Sequence, residues 1–297
     1  MERPSFSSAC TIGDLLFEAT KSLASSDSSR LDSELLLAHV LGVERTGLLI
    51  RLREDCSDAE KTIFAELVDR RRLGEPVAYI LGYKEFYGLS FEVTPDVLIP
   101  RPETELLVEE AVGMLREKQS VSILDLGTGS GCISISVAHQ LLARGIDVEL
   151  VAVDISKRAL EVARRNAEKH RVAHVITFKV SDWYSSLDST KQRFDCIIAN
   201  PPYVDRQETL SPELAFEPST ALFSADEGLS DATRIIDGAQ DFLLDDGVLL
   251  CEVGAYKYSR MQILMDSFKE HYAVSHLGDG NDLERFLVVK MIKRQRG

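Results

Sequence analysis

The sequence predicts an α/β protein, a seven-stranded doubly wound sheet preceded by a small N-terminal helical bundle. Three observations carry that reading. From about residue 103 onward, stretches with helical spacing of apolar residues alternate with short apolar runs, as a parallel sheet with crossover helices requires. Over the first 75 residues the apolar positions recur three and four apart, with no strand-like run between them. The chain has 297 residues, 44% of them hydrophobic and 28% charged. That is enough for about two domains of ordinary globular composition, and it is unlike disordered, collagenous or disulfide-stapled chains.

Residues 1–75 read as short helices. Leu15, Leu16, Ala19 and Leu23 make one apolar stripe, and Leu31, Leu35, Val40 and Leu41 another. Ser57 with Glu60 forms a capping box ahead of Ile63, Phe64 and Leu67, while Gly42 and Gly74 are expected helix stops. Arg70, Arg71 and Arg72 end a helix, where cations suit the dipole; the alternative is contact with a partner. Residues 76–102 turn aromatic and alternating (Tyr79, Tyr83, Phe86, Tyr87, Phe91, Val93), broken by Gly82, Gly88, Pro95, Pro100 and Pro102, which predicts a linker carrying a β-hairpin.

The third segment, residues 103–297, alternates regularly. A helix over Glu103 to Glu117 leads to a strand Val121–Asp125, a helix near 131–143 to a strand Val148–Val153, and a helix near 156–169 to a strand near 174–180. A strand Phe194–Ala199, a helix near 231–244, a strand Gly247–Val253, a helix near 257–270 and a final pair of strands ending at Phe286–Val289 complete seven strands.

Charge and cysteine usage narrow the function classes. Lys and Arg number 34 against 48 Asp and Glu, for a net charge of −14, and residues 1–75 hold ten basic against fourteen acidic side chains. A broad basic face for nucleic acid is therefore not expected, nor a direct nucleic-acid substrate. No stretch reaches the ~18 apolar residues of a membrane span and the first residues lack an apolar signal core, so no membrane partner and a cytoplasmic location are expected. The five cysteines (Cys10, Cys56, Cys132, Cys196, Cys251) form no CxxC pair and read as free buried thiols. His170 and His174 straddle a helix end without a matched carboxylate, so no metal site is expected.

Chemistry concentrates at three strand ends. The apolar strand through Asp125 runs into Gly127-Thr128-Gly129-Ser130-Gly131 at the start of a helix, where glycines let a ligand approach the backbone and first-turn N–H groups favour polar or anionic groups. The spacing is not that of a nicotinamide dehydrogenase, because Cys132 stands where the third glycine of G-x-G-x-x-G would be, and no G-K-[ST] follows to make a P-loop. Asp154 closes the next strand, where such sheets put the carboxylate that accepts ribose hydroxyls, which points to a nucleoside cofactor; capping of the following helix is the alternative. After the third strand come Asp182 and the sole tryptophan, Trp183, which would either flank an adenine or cover the sheet edge.

Asn200-Pro201-Pro202-Tyr203 follows the strand Phe194–Ala199 directly. The two prolines have fixed φ and no N–H, so the turn is stiff and presents carbonyls rather than donors. The Asn200 side-chain oxygen and the Pro201 carbonyl can each accept one N–H of an NH₂ group and aim its lone pair at an electrophile.

The glycine loop, Asp154 and Asn200 to Tyr203 together resemble the class I, Rossmann-like S-adenosylmethionine-dependent methyltransferases that modify planar amino groups. Glu75-Pro76, Tyr79 to Gly82, Phe86 to Gly88, Val97 to Glu105, Ala221 to Phe223 and Gly228-Leu229 are similar to the peptide chain release factor glutamine methyltransferases, the HemK/PrmC family, over almost the whole chain. That resemblance implies methylation of the side-chain amide of the glutamine in the Gly-Gly-Gln motif of class 1 release factors, with S-adenosylhomocysteine as product. It also implies that the helical segment recognises the substrate. Gly127, Thr128, Gly129, Ser130, Gly131, Asp154, Asp182, Trp183 and Asn200 would hold the cofactor; Asn200, Pro201, Pro202 and Tyr203 would hold the glutamine. Asn200, Pro201 and Tyr203 would be the catalytic set, Tyr203 by stacking on the amide plane. An adenine-N6 DNA or guanine-N2 RNA methyltransferase is the alternative, since the same turn serves any extruded exocyclic NH₂, and the acidic charge weighs against it.

Overall fold

The structure, a computed structural model, describes residues 10–208, 211–254, 266, 268, 272–278 and 284–291. The chain divides into two units: one takes in the residues up to Tyr83 with a later segment ending at Phe216, and the other runs from Lys84 and resumes at Glu217.

The first unit is built from α1 (Ile12–Ser22), α2 (Ser29–Leu41), α3 (Arg45–Ile50), α4 (Asp58–Arg72) and α5 (Val77–Leu81). Thr11 with Asp14 and Ser57 with Glu60 close reciprocal capping boxes on α1 and α4, and Gly42, at φ 63°, ends α2 in the left-handed conformation. Ile12, Leu15, Ala19, Leu36, Leu37, Leu48, Phe64 and Val68 form its core. The arginine run is committed to ion pairs within this unit. Arg71, buried, donates to Asp32 at 2.7 Å and to Ser26 at 3.0 Å and also pairs with Glu213; Arg70 pairs with Glu75 and Arg72 with Asp69.

The second unit opens on a hairpin, β1 (Tyr83–Phe86, whose first residue closes the first unit) and β2 (Leu89–Glu92), which turns Phe86 and Phe91 edge-on at 6.1 Å into the core. A 3₁₀ turn Pro102–Thr104 leads into α6 (Glu105–Leu115), followed by β3 (Ser120–Leu126), α7 (Cys132–Leu142), β4 (Asp147–Asp154), α8 (Lys157–Lys169), β5 (Ile176–Val180) and β6 (Phe194–Ala199). After β7 (Val204–Asp205), α9 (Ser219–Leu222), β8 (Phe223–Ser224) and α10 (Ser230–Ala239) come β9 (Leu243–Glu252), β10 (Tyr272–Gly278) and β11 (Glu284–Met291). The seven-stranded sheet has the order β10-β11-β9-β6-β3-β4-β5; β11 pairs antiparallel with both β9 and β10, and the other six strands run in one direction.

Both faces of the sheet's centre are buried, which is why β3, β4, β6 and the second half of β9 read as near-continuous apolar runs. Ile123, Cys196 and Ile198 face the side covered by α6 and α7, whereas Leu124, Leu126, Ile197 and Ala199 face Ile235, Ile236 and Ala239 of α10. The chain builds β3, β4 and β5 outward, then returns to place β6 on the other side of β3. That reversal opens a crevice at the carboxyl ends of β3 and β6, the usual ligand position in such sheets.

The differences from the expected elements are local. The helix expected from Glu103 starts as the 3₁₀ turn, because Pro102 suits a first helical turn. The strand expected from Gly247 begins at Leu243, where it pairs with Phe194 before a register irregularity. The helix expected near 257–270 lies outside the described residues apart from Asp266 and Phe268. Among the described residues no helix is long and apolar enough to cross a membrane.

Candidate active site

Four adjacent strands bring their last residues to one level. Leu126 of β3 pairs with Val153 of β4 and with Ala199 of β6, and Ala199 pairs with Cys251 of β9. One residue further along, Asp154, Gly127, Asn200 and Glu252 therefore stand side by side across the carboxyl edge. A cavity of about 680 Å³ opens there, within the usual range for a small-molecule site. Of the residues singled out in the sequence, Gly127, Thr128, Gly129, Ser130, Asp154, Asp182, Trp183, Asn200 and Pro202 line it. Gly131 begins α7 beside the cavity; Pro201, buried, and Tyr203, half-buried, flank the lining without being part of it.

The loop after β3 needs its glycines. Gly127, Gly129 and Gly131 all take positive φ (77°, 55° and 81°), which side chains rarely adopt. A Cβ on Gly127 would lie 3.3 Å from the Trp183 ring, and one on Gly131 would lie 2.7 Å from Ile135 Cδ1 and 3.2 Å from Ala163 Cβ. The loop is held by backbone bonds: the N–H groups of Gly127 and Thr128 both donate to Val153 O, and that of Gly131 to Thr128 O.

Two carboxylates brace it from below. Asp125, fully buried, accepts from Thr128 Oγ1 at 2.7 Å, and burial pushes its carboxyl up to about 6, against the lowering effect of the Thr128 and Ser134 hydroxyls. Asp154 accepts from Gly129 N at 2.9 Å on one oxygen and from Ser156 N at 2.8 Å on the other. Burial raises its pKa and these N–H bonds lower it. A carboxylate has about four acceptor positions, so Asp154 keeps capacity for ribose hydroxyls while it also serves the turn into α8.

Trp183, with φ 47°, both lines the cavity and approaches Gly127; its indole N–H donates to Asp231 at 3.1 Å, and Ser224 donates to the other Asp231 oxygen at 2.6 Å. Arg234 donates to both oxygens of Asp182 at 3.0 Å. The ring is thus held in one orientation at the cavity edge, with a charged pair beside it.

At Asn200 the side-chain nitrogen donates to Thr104 Oγ1 at 3.1 Å, and Thr104 donates to Glu252 Oε2 at 2.7 Å. Arg101, another lining residue, donates to the buried Glu217 at 2.5 Å. Behind the glycine loop, the buried Asn166 of α8 donates to Ser130 O at 2.9 Å and bonds both backbone groups of Glu92. Thr104 falls within the family-like run Val97 to Glu105, but neither it nor Asn166, Asp231 or Glu252 had a role of its own in the sequence reading. Two carried a signal: Glu252 is a lone carboxylate ending the apolar run Val248 to Cys251, and Asn166 sits between Ala163 and Ala167 on the apolar side of α8. Among the described residues no cluster of three His, Cys, Asp or Glu side chains could hold a metal ion, and His170 instead approaches Ser90 O at 2.9 Å.

The family model described as the PrmC N-terminal domain matches residues 14–82, and the one described as the methyltransferase small domain matches residues 102–217. The chain is 41% identical over 255 residues to the release factor glutamine methyltransferase of Burkholderia pseudomallei, covering 84% of this chain and 88% of that protein. It is 37% identical over 293 residues to the one of Nitratidesulfovibrio vulgaris, covering 97% of each. A solved methyltransferase from Pyrococcus furiosus shares the fold, with a TM-score of 0.51 at 17% identity over 75% of this chain and 96% of that one. Identity at this level runs through the helical unit as well as the sheet, and the chain belongs to the family of release factor glutamine methyltransferases.

Proposed function

We propose that this chain transfers the methyl group of S-adenosylmethionine to the side-chain amide nitrogen of the glutamine in the Gly-Gly-Gln motif of class 1 peptide chain release factors. Family membership supports the reaction. The observation that carries the assignment to this site is the strand-end row: Asp154, Gly127 and Asn200 open side by side into one cavity. A nucleoside-binding edge and an NH₂-gripping turn are thereby neighbours.

The residues present fit the cofactor. The cavity is large enough, Asp154 retains acceptor capacity, and the ring of Trp183 lies so close to Gly127 that a side chain there would crowd it. Gly127 to Gly131, Asp154, Asp182, Trp183 and Asn200 would hold it. When bound, it supplies an electrophilic methyl on a positively charged sulfur.

An amide nitrogen is a poor nucleophile, and no side chain of ordinary pKa removes its proton beforehand, so this chain must act by placement. Asn200 Oδ1 and the Pro201 carbonyl would accept the two N–H bonds of the glutamine, Pro202 would stiffen the turn, and Tyr203 would stack on the amide plane. Correct placement alone supplies up to about 7–11 kcal/mol. As the nitrogen gives up its lone pair its N–H groups become stronger donors, so the same two acceptors bind more tightly in the transition state than in the ground state. The resulting nitrogen is acidic enough to release its proton to water. The helical unit would recognise the body of the release factor.

The test is mass spectrometry of a release factor incubated with the protein and cofactor, with nucleic acid offered in parallel. One added methylene on a single glutamine is expected. Asn200→Ala should lower kcat by about 10²–10³-fold, the usual effect of removing one such hydrogen-bonding group, with cofactor affinity within about threefold because the glycine loop, Asp154 and Trp183 still hold the cofactor. A near-normal rate would remove Asn200 from the mechanism.

A further inference from the structure

A carboxamide presents one acceptor and two donors on nearly isosteric arms, so Asn200 can grip an NH₂ group only when its oxygen, and not its nitrogen, faces the cavity. We propose that Thr104 and Glu252 are positioning residues for the transfer, a two-bond relay that holds the Asn200 nitrogen inward and leaves Oδ1 to the substrate.

The polarity of the relay follows from its buried end. Glu252 and Thr104 are 1% and 2% exposed. The Thr104 hydroxyl donates to Glu252 Oε2 at 2.7 Å, so its single proton is committed to that bond. The lone pairs of Thr104 Oγ1 are then what Asn200 meets, and only the NH₂ arm can satisfy them, as the 3.1 Å bond from Nδ2 records. Reversing the amide would set its oxygen against the hydroxyl oxygen and leave a buried acceptor unpaired.

The placement of the two residues supports this role over a purely architectural one. Thr104 closes the 3₁₀ turn Pro102–Thr104 with helical backbone (φ −64°, ψ −18°) that runs on into α6, so its hydroxyl is not needed to cap that helix. Its hydroxyl serves Glu252 and Asn200 instead, 148 and 96 residues away in sequence. Glu252 follows Cys251, the register partner of Ala199, so it reaches the level of Asn200 through the sheet.

This inference rests on the acceptor role proposed for Asn200, and the experiment separates the two. Full-length Thr104→Val, Thr104→Ser, Glu252→Gln and Asn200→Ala are compared in kcat, KM for a release factor, cofactor affinity by calorimetry, and thermal midpoint. Thr104→Val, which keeps the shape and removes the hydroxyl, should lower kcat by about 10–100-fold with cofactor affinity and release-factor KM within about threefold, a split that loss of fold would not produce. Thr104→Ser should restore kcat to within about threefold. Glu252→Gln can donate to Thr104 and so frees the hydroxyl proton to face Asn200; a comparable loss is expected, with little further loss in the double variant with Thr104→Val. Near-normal kcat in both Thr104→Val and Glu252→Gln, or failure of Thr104→Ser to rescue, overturns the relay. If those variants are normal while Asn200→Ala is inactive, the relay alone falls; if Asn200→Ala is itself normal, the acceptor role falls with it. Should Thr104→Val fail to fold, the Thr104→Ser and Glu252→Gln pair decides.

Discussion

The glycine loop after β3 and the proline turn after β6 leave the sheet as neighbours, yet they are stiffened by opposite means. The loop has three residues at positive φ and is fixed by hydrogen bonds to Val153 O, Thr128 O and Asp154. The turn has two residues whose rings fix φ and remove N–H groups, so its rigidity is covalent. Their foundations differ as well: at the level where β3 carries the buried Asp125, β6 carries Ile198. A surface that must let a ligand's atoms approach the backbone has to be bare, and its order then depends on weak bonds and a buried acid beneath. A surface that must offer acceptors and no donors can be ordered by its own rings.

If this contrast is right, the loop should feel pH and added volume, whereas the turn should feel the loss of a ring. The largest expected effect is on stability through Asp125. Its folded pKa of about 6 lies above the ordinary Asp value of about 3.9. Between those two values the unfolded chain has released the proton and the folded chain still holds it, so native stability falls as pH rises through the window. The loss is of the order of 3 kcal/mol and is complete above the folded pKa. Asp14, Glu60, Glu92 and Asp188 have lowered pKa values and act in the opposite sense. The difference between wild type and Asp125→Asn, followed by denaturant unfolding from about pH 4 to 7, therefore isolates the term. Parallel curves for the two proteins would contradict a burial-raised acid under the loop.

Next in size is Gly131→Ala. The added Cβ meets Ile135 and Ala163 in a left-handed backbone conformation; Ile135 can swing its terminal methyl, but Ala163 has nothing to move. A destabilisation of about 1–3 kcal/mol is expected in the same unfolding measurement. An unchanged midpoint would mean that the loop does not need to be bare there. The smallest effect belongs to the turn: Pro201→Ala frees φ and adds an N–H donor, and should lower kcat about tenfold while stability moves by less than about 1 kcal/mol. A stability loss as large as that of Gly131→Ala would show that the turn, too, is ordered by its neighbours rather than by its rings.

The two segments were legible in the sequence because each packs its chemistry into four or five consecutive residues after an apolar strand. The central strands were legible for a related reason, since burial on both faces writes them as unbroken apolar runs such as Ile197-Ile198-Ala199, whereas the half-exposed edge strand β5 was placed by its turn in the alternation. Thr104, Asn166, Asp231 and Glu252 had no role of their own in that reading, because each is an ordinary polar residue until the sheet register or a helix contact supplies a partner tens of residues away. Arg71 was open to two readings in the sequence; only the fold brings Asp32 and Ser26 to it. The short pieces between Val204 and Gly228 escaped the reading because two-residue strands and single 3₁₀ turns have no period to detect.

The alignment of Asp154, Gly127, Asn200 and Glu252 one step beyond paired residues makes the sheet a ruler. Groups on successive strands are set apart by the interstrand spacing of ~4.8 Å, a length dictated by backbone geometry and not adjustable by side-chain choice. Any insertion or deletion inside β3, β4, β6 or β9 would shift one graduation and turn the side chain it marks to the opposite face. Evolution can lengthen the connections at the far edge, such as the turn at Gly145, but the four strands themselves must keep their count.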